Sequence, residues 1–219
     1  MKTDKNPKYF YDTTDFPHLK FLESETETLN KELHQLASNP LNTAWLETFP
    51  DYTSGIAPKA WEVFTFRFFG MNHSENIRLS PKTYEIISSI PSLISCDFSK
   101  MKGQTEILPH KGYSKMALRC HLPLLVPEGN TCGIMVGDEV RFHEEGKLII
   151  FDDSFTHSAW NRSHSERIVL MFDIPNPLWG YTSEEISSYK VKHLDDPFLL
   201  NIATKERWLE AYEQKILPL

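Results

Sequence analysis

Cysteine is scarce in this chain. Its 219 residues include three, Cys96, Cys120 and Cys132. The number is odd and there is no Cys-X-X-Cys pair, so neither a disulfide framework nor a thiolate zinc site is encoded. A reducing cytoplasm is the expected compartment. Long apolar runs are missing as well. No stretch approaches the roughly 18 apolar residues of a membrane span, and the polar start, Met1 to Lys8, is followed by no apolar signal segment. Positive charge is in deficit, with 23 Lys and Arg against 30 Asp and Glu for a net charge of −7. That excludes a bulk basic surface for nucleic acid, whose phosphates need clustered cations. The two Asn-X-Ser acceptors, at Asn72 and Asn161, matter only in a secreted chain and read as chance matches.

What is present is enough apolar residue, 40% of the chain, to bury a core in a single domain of this length. Residues 1 to about 20 are polar and aromatic and suit an extended segment laid across a core. From Phe21 to Leu36 the apolar positions Leu22, Leu29, Leu33 and Leu36 fall at helical spacing, and Asn39-Pro40 ends the run. Trp61 to Phe69 is aromatic and β-branched, as in a buried strand. Ser80-Pro81 opens a further helix with Tyr84, Ile87 and Ile90 on one side.

From Ser95 to Pro175 the texture becomes short strands between turn signals, which predicts a sandwich or barrel. Alternation over Lys115 to Val126 puts Met116, Leu118, Cys120, Leu122 and Leu124 on one face, and Ala117, Arg119 and His121 on the other. The same period groups Arg167, Val169 and Met171 opposite Ile168, Leu170 and Phe172. After Pro177 the pattern is helical again, with a stripe of Trp208, Leu209, Tyr212 and Ile216 that suits packing on the protein's own core. The expected organisation is one domain over 1–219. Residues 1–94 pack on the β core, 95–177 form it, and 178–219 are a helical segment.

Nine histidines are a large supply of nitrogen ligands. His110 and His157 both lie where predicted strands end, which is where sites are built. Brought together they would suit Fe(II), Zn(II) or Mn(II) with open positions. Spacing alone leaves open that both are surface or internally satisfied residues. Trp61, Trp160 and Trp179 read as core.

Taken in order, His110-Lys111-Gly112, Leu118-Arg119-Cys120-His121-Leu122, Glu144-Glu145-Gly146-Lys147, Phe151-Asp152-Asp153-Ser154-Phe155-Thr156-His157 with Trp160, and Arg167 leading to Asp173 resemble the aspartyl/asparaginyl β-hydroxylase family. The match runs from about Ser99 to Pro177. The resemblance implies a mainly β protein with flanking helices, a double-stranded β-helix of the jelly-roll or cupin kind. It implies a dioxygenase that uses Fe(II), 2-oxoglutarate and O2 to hydroxylate an unactivated C–H. His110 and His157 would be the iron ligands. Gly112 stands where most related oxygenases carry a carboxylate, an omission this family shares, with water in the vacant place. Asp152 and Asp153 would then be structural, one of them in an Asx turn before His157. Arg167 would grip the distal carboxylate of 2-oxoglutarate, assisted by Ser99. Arg119 and His121 would line the same site, near the iron-bound end of the cosubstrate or the substrate carboxylate, and Arg119, Arg167 and the metal would make the pocket cationic.

The implied partner is an amino-acid, peptide or carrier-bound substrate, with the β-carbon of Asp or Asn as leading target. Ala117 stands where animal members carry a further Arg. The rival readings are a fatty-acyl hydroxylase of the lipid A type and a non-catalytic barrel that acts as a binding or regulatory module. Oligomeric state is not encoded legibly.

Overall fold

The computed structural model describes residues 7–38, 45–55 and 59–218. The polar start as far as residue 6 and the Asn39-Pro40 helix stop lie outside the described residues. The chain opens with strand β1 (Phe10–Tyr11), helices α1 (Phe21–Ser24) and α2 (Thr26–Ser38), and strands β2 (Leu46–Glu47), β3 (Thr53–Gly55), β4 (Trp61–Phe68) and β5 (Met71–Asn72). Helices α3 (Ser74–Leu79) and α4 (Pro81–Ser88) lead into strands β6 (Ser95–Met101), β7 (Thr105–His110), β8 (Ala117–Leu125), β9 (Cys132–Val136), β10 (Glu139–Phe142), β11 (Ile149–Phe151), β12 (His157–Asn161) and β13 (Arg167–Pro175). Helices α5 (Ser183–Lys192), α6 (Pro197–Ile202) and α7 (Lys205–Gln214) close the described chain.

The strands form two antiparallel sheets. The larger has the order β1-β11-β8-β13-β6-β4-β2 with β5 beside β4, and the smaller the order β10-β9-β12-β7-β3. From β6 onward successive strands fall in the larger sheet, then the smaller, and so back and forth; only β9 and β10 share one sheet in succession. That winding is a double-stranded β-helix, a jelly roll whose two inner faces enclose an interior.

Alternation decides what each face meets. Leu118, Cys120, Leu122 and Leu124 of β8 and Ile168, Leu170, Phe172 and Ile174 of β13 point outward into one core with Leu22, Leu29, Leu33, Leu36, Ile86 and Ile87 of α1, α2 and α4. Burial of each such side chain is worth roughly 1.5–3 kcal/mol, so this layer anchors the larger sheet. The odd-numbered residues of the same strands are thereby turned into the barrel. A second cluster, around Trp208, Ala211 and Tyr212 of α7, packs with Ile186, Val191 and Leu199, so the C-terminal stripe covers the protein's own core.

Helix 21–36 is not continuous: it breaks at Glu25 between α1 and α2. The Ser24 and Thr26 hydroxyls bond back to the carbonyls of Phe21 and Glu23, a local competition with the helical ladder. All three cysteines are buried and free. Among the described residues no helix is long and apolar enough to cross a membrane.

Candidate active site

His110 ends β7 and His157 begins β12, and the two are direct cross-strand partners in the smaller sheet. Their ring centroids lie 4.2 Å apart. Nδ1 of His110 is 2.8 Å from the Leu108 carbonyl and Nδ1 of His157 is 3.0 Å from the Phe155 carbonyl. A carbonyl only accepts, so each Nδ1 carries the proton and each Nε2 keeps its lone pair. Burial holds both imidazoles in the neutral form: it lowers His110, and it brings His157, with His110 beside it, down to about 3. Tyr52 stacks on the His110 ring at 5.1 Å. Two neutral, oriented nitrogen donors are the chemistry that holds a divalent metal. Among the described residues no group of three or more His, Cys, Asp or Glu side chains is placed to do so.

The place of the missing carboxylate has a steric explanation. A Cβ built on Gly112 would lie 2.0 Å from Asp153 Oδ2, and the Gly112 amide donates to the Asp153 carbonyl at 2.7 Å. Asp153 itself turns to Arg119, 3.4 Å from Nη1. Asp152 makes the Asx turn, accepting from the amide and hydroxyl of Ser154 at 3.0 and 2.6 Å.

Arg167 begins β13, opposite Met101 of β6, and its side chain is 1% exposed. Nη1 donates to the Ser99 carbonyl at 3.2 Å, Nη2 reaches the Met101 sulfur at 3.7 Å, and Nε has no partner. Among the described residues no carboxylate pairs with it. Burial lowers its pKa to about 10. An unpaired buried guanidinium costs several kcal/mol, and an external dianion would relieve that cost through two parallel hydrogen bonds. Ser99 lies on the same inner face, its Oγ accepting from Trp61 Nε1 at 2.9 Å. The hydroxyl proton is thus left for another acceptor.

Arg119 faces the interior as alternation predicts, but its charge is met inside the chain. Nε and Nη2 grip the two oxygens of Asp173 at 2.9 and 3.1 Å, and Asp153 is the second anion. These carboxylates raise its pKa against the effect of burial. The expectation that Arg119 adds free positive charge to the interior is therefore corrected; the uncompensated cation is Arg167. His121, buried on the same strand face, sets its Nδ1 3.3 Å from Nε2 of His143. Of the three tryptophans, Trp61 and Trp160 are buried and Trp179 is half-buried under Lys115.

Two cavities meet here. One of about 330 Å³ opens at the mouth, lined by His110, Gly112 and Tyr52. A second of about 370 Å³ runs along the inner face of the larger sheet beneath α6 and α7, past Val63, Met171, Phe198, Ile202 and Trp208, and is mostly apolar. Phe49, Trp61, Tyr113 and Arg119 line both. Phe49 holds a left-handed backbone conformation, φ 40°, a strained geometry that persists where surrounding structure enforces it.

A jelly roll with two histidines near its mouth and a buried, unpaired arginine inside defines the class. The sequence model of the aspartyl/asparaginyl β-hydroxylase family matches residues 23–177, and the chain belongs to that family. It is 33% identical over 173 residues to the ornithine lipid ester-linked acyl 2-hydroxylase of Rhizobium tropici, covering 77% of this chain and 60% of that one. It is 33% identical over 122 residues to human aspartyl/asparaginyl β-hydroxylase, covering 53% of this chain and 16% of that one. The chain thus spans less than two thirds of either relative. A solved prolyl-4-hydroxylase from Pseudomonas putida superposes with a TM-score of 0.44 at 12% identity, over 70% of this chain and 88% of that one.

Four residues at the site escaped sequence reasoning. Phe49, Tyr52 and Tyr113 carry no local signal, and His143 sits in what reads as a turn before Glu144-Glu145-Gly146.

Proposed function

We propose that the chain is an Fe(II)- and 2-oxoglutarate-dependent dioxygenase that hydroxylates an unactivated C–H bond. The observation that carries this reading is Arg167, buried and without an anionic partner, in the same interior as two imidazoles whose Nε2 lone pairs are bare. His110 and His157 would hold iron through those nitrogens. Arg167 would bind the distal carboxylate of 2-oxoglutarate, with the Ser99 hydroxyl and the His121 ring beside it, while Arg119 shapes the wall next to the mouth. Bound there, iron and cosubstrate would supply the oxidising chemistry, O2 being consumed with decarboxylation of 2-oxoglutarate to succinate and CO2. Trp61 fixes Ser99, the Leu108 and Phe155 carbonyls fix the imidazole tautomers, and the apolar walls exclude water. We place the chain in the cytoplasm, where free thiols and ferrous iron stay reduced.

For the substrate, the β-carbon of Asp or Asn is the class the family name indicates. The long apolar cavity favours a second reading, an acyl chain. Arg119 is already bound by Asp153 and Asp173, Ala117 adds no cation, and the walls from Val63 to Trp208 suit methylenes rather than a carboxylate. The name of the R. tropici relative describes an ester-linked acyl chain as what that enzyme acts on.

The test is succinate formation from 2-oxoglutarate by wild type and His157→Ala. Mass spectrometry would accompany it, seeking products one oxygen heavier from Asp-containing peptides and from acylated amino acids. Equal turnover in the two proteins would sink the iron assignment. A product from the peptide alone would sink the acyl reading. Absence of both Fe(II) and 2-oxoglutarate binding by calorimetry would favour a non-catalytic module.

A further inference from the structure

His143 follows β10, is 4% exposed, and is held by its own amide donating to the Cys132 carbonyl at 3.0 Å. Its ring enters the barrel behind His121. The pair shares a single N–H in the 3.3 Å contact between His121 Nδ1 and His143 Nε2. Two arrangements are open to two neutral rings. In one, His121 donates Nδ1–H, which leaves His143 to carry its proton on Nδ1 and His121 with a bare Nε2. In the other, His143 donates Nε2–H, its Nδ1 is bare, and His121 carries its proton on Nε2.

The surroundings choose between them. His143 Nδ1 is buried and has no hydrogen-bond partner. A proton placed there would be an orphaned donor in the field of Arg167, the charge that acts on His143. A bare lone pair there is stabilised by that positive charge instead. His121 lies at the middle of the interior: its ring packs edge-on against Phe151 at 5.0 Å, and Phe151 also meets the ring of His157. Burial keeps it neutral, and the neighbouring His143 and the charges of Arg167 and Arg119 act in the same direction.

We propose that His143 is a positioning residue: by donating Nε2–H to His121 Nδ1 it locks His121 in the Nε2–H tautomer, so that His121 presents a hydrogen-bond donor to the carboxylate of the cosubstrate held by Arg167. The ligand half of this statement rests on the reading of the interior as a 2-oxoglutarate site; the tautomer half does not. Neutral His121 then offers a donor without adding a second buried charge beside Arg167, and Arg167 alone supplies the charge.

The test has two arms. Heteronuclear NMR of the ring nitrogens in ligand-free protein should find His121 Nδ1 bare and Nε2 protonated, with His143 the reverse. A protonated His121 Nδ1 would overturn the proposal whatever binds. Calorimetry with 2-oxoglutarate, using Mn(II) as a redox-inert stand-in, should show binding about tenfold weaker for His143→Leu, the loss of one buried hydrogen bond. His143→Gln, whose amide N–H can still donate, should stay within about threefold of wild type. Equal affinity for wild type and His143→Leu would overturn it. No binding by wild type would overturn the 2-oxoglutarate reading, and the ligand half with it, and leave the tautomer result to stand on its own spectrum. If His143→Leu does not fold, the wild-type ring-nitrogen spectrum and His143→Gln decide.

Discussion

Arg119 and Arg167 sit on neighbouring strands of one sheet, both turned into the same interior by the same alternation, and they have opposite circumstances. Arg119 is gripped across the strand by Asp173, its register partner, and again by Asp153. Arg167 meets a carbonyl and a thioether, both neutral, and among the described residues no carboxylate pairs with it. A buried cation that is fully paired belongs to the scaffold. One that is unpaired marks a place where a ligand completes the electrostatics.

The comparison is broken most directly by removing the paired cation. Arg119→Met leaves Asp153 and Asp173 buried without a counterion, and denaturant unfolding should show a loss of about 3–5 kcal/mol. Arg167→Met, by contrast, removes an uncompensated charge and should leave stability unchanged or raise it. Calorimetry should find its affinity for 2-oxoglutarate lower by on the order of 100-fold, as when one partner of a buried charge pair is truncated. If the two stability effects come out alike, the distinction between scaffold and site fails.

A pH-dependent effect sharpens the picture on the Arg119 side, where carboxylates outnumber the cation. Burial, with Asp173 nearby, pushes Asp97 from 3.8 to about 7. The folded chain keeps this proton where the unfolded chain has released it. The group therefore costs nothing below the unfolded value, and its cost grows as pH rises from about 4 to about 7. Asp97→Asn should leave Tm unchanged near pH 4 and raise it by on the order of 10 °C near pH 8, since a rise of roughly three in pKa corresponds to about 4 kcal/mol and a chain of this size shifts by about 2–4 °C per kcal/mol. A rise of equal size at both pH values would refute the burial argument. The smallest effect is expected at the wall shared by the two cavities. Phe49→Ala should keep 2-oxoglutarate affinity within about threefold, since the proposed cosubstrate contacts are Arg167, Ser99 and His121. In the acyl reading it should also shift the preferred chain length upward in a competition assay; an unchanged preference would detach the long cavity from substrate binding.

The strands that bear the site were legible because the sequence alternates within each of β8 and β13, so Arg119 could be grouped with His121, and Arg167 with Val169 and Met171, from spacing; that the two groups share one interior followed only from the family resemblance. The compensation of Arg119 was not legible. Asp153 and Asp173 lie 34 and 54 positions downstream in sequence, and only the register of β13 against β8 sets Asp173 opposite. Helix 21–36 was legible as a buried stripe but not as two pieces, since hydroxyl back-bonding at Ser24 and Thr26 leaves the hydrophobic pattern intact. His143 was lost because the Glu-Glu-Gly that follows it is a turn signal, and nothing local tells a turn residue that its ring will end inside a barrel.

The pairing of the two histidines depends on one irregularity in β7. From the His157–His110 pair to the Ala159–Ile107 pair, β12 advances two residues and β7 advances three. By plain alternation His110 would share the outward side of Glu106 and Leu108. The extra residue, beside a proline that donates no ladder hydrogen bond, reverses it. The meeting of the two histidines thus depends on the bulge at Leu108 and Pro109 rather than on the chemistry of either ring. A ladder that ran regularly over the same residues would turn an unchanged His110 outward with Glu106 and Leu108, whereas deletion of one residue at the bulge would restore the regular ladder and keep the histidine on the side of Ile107.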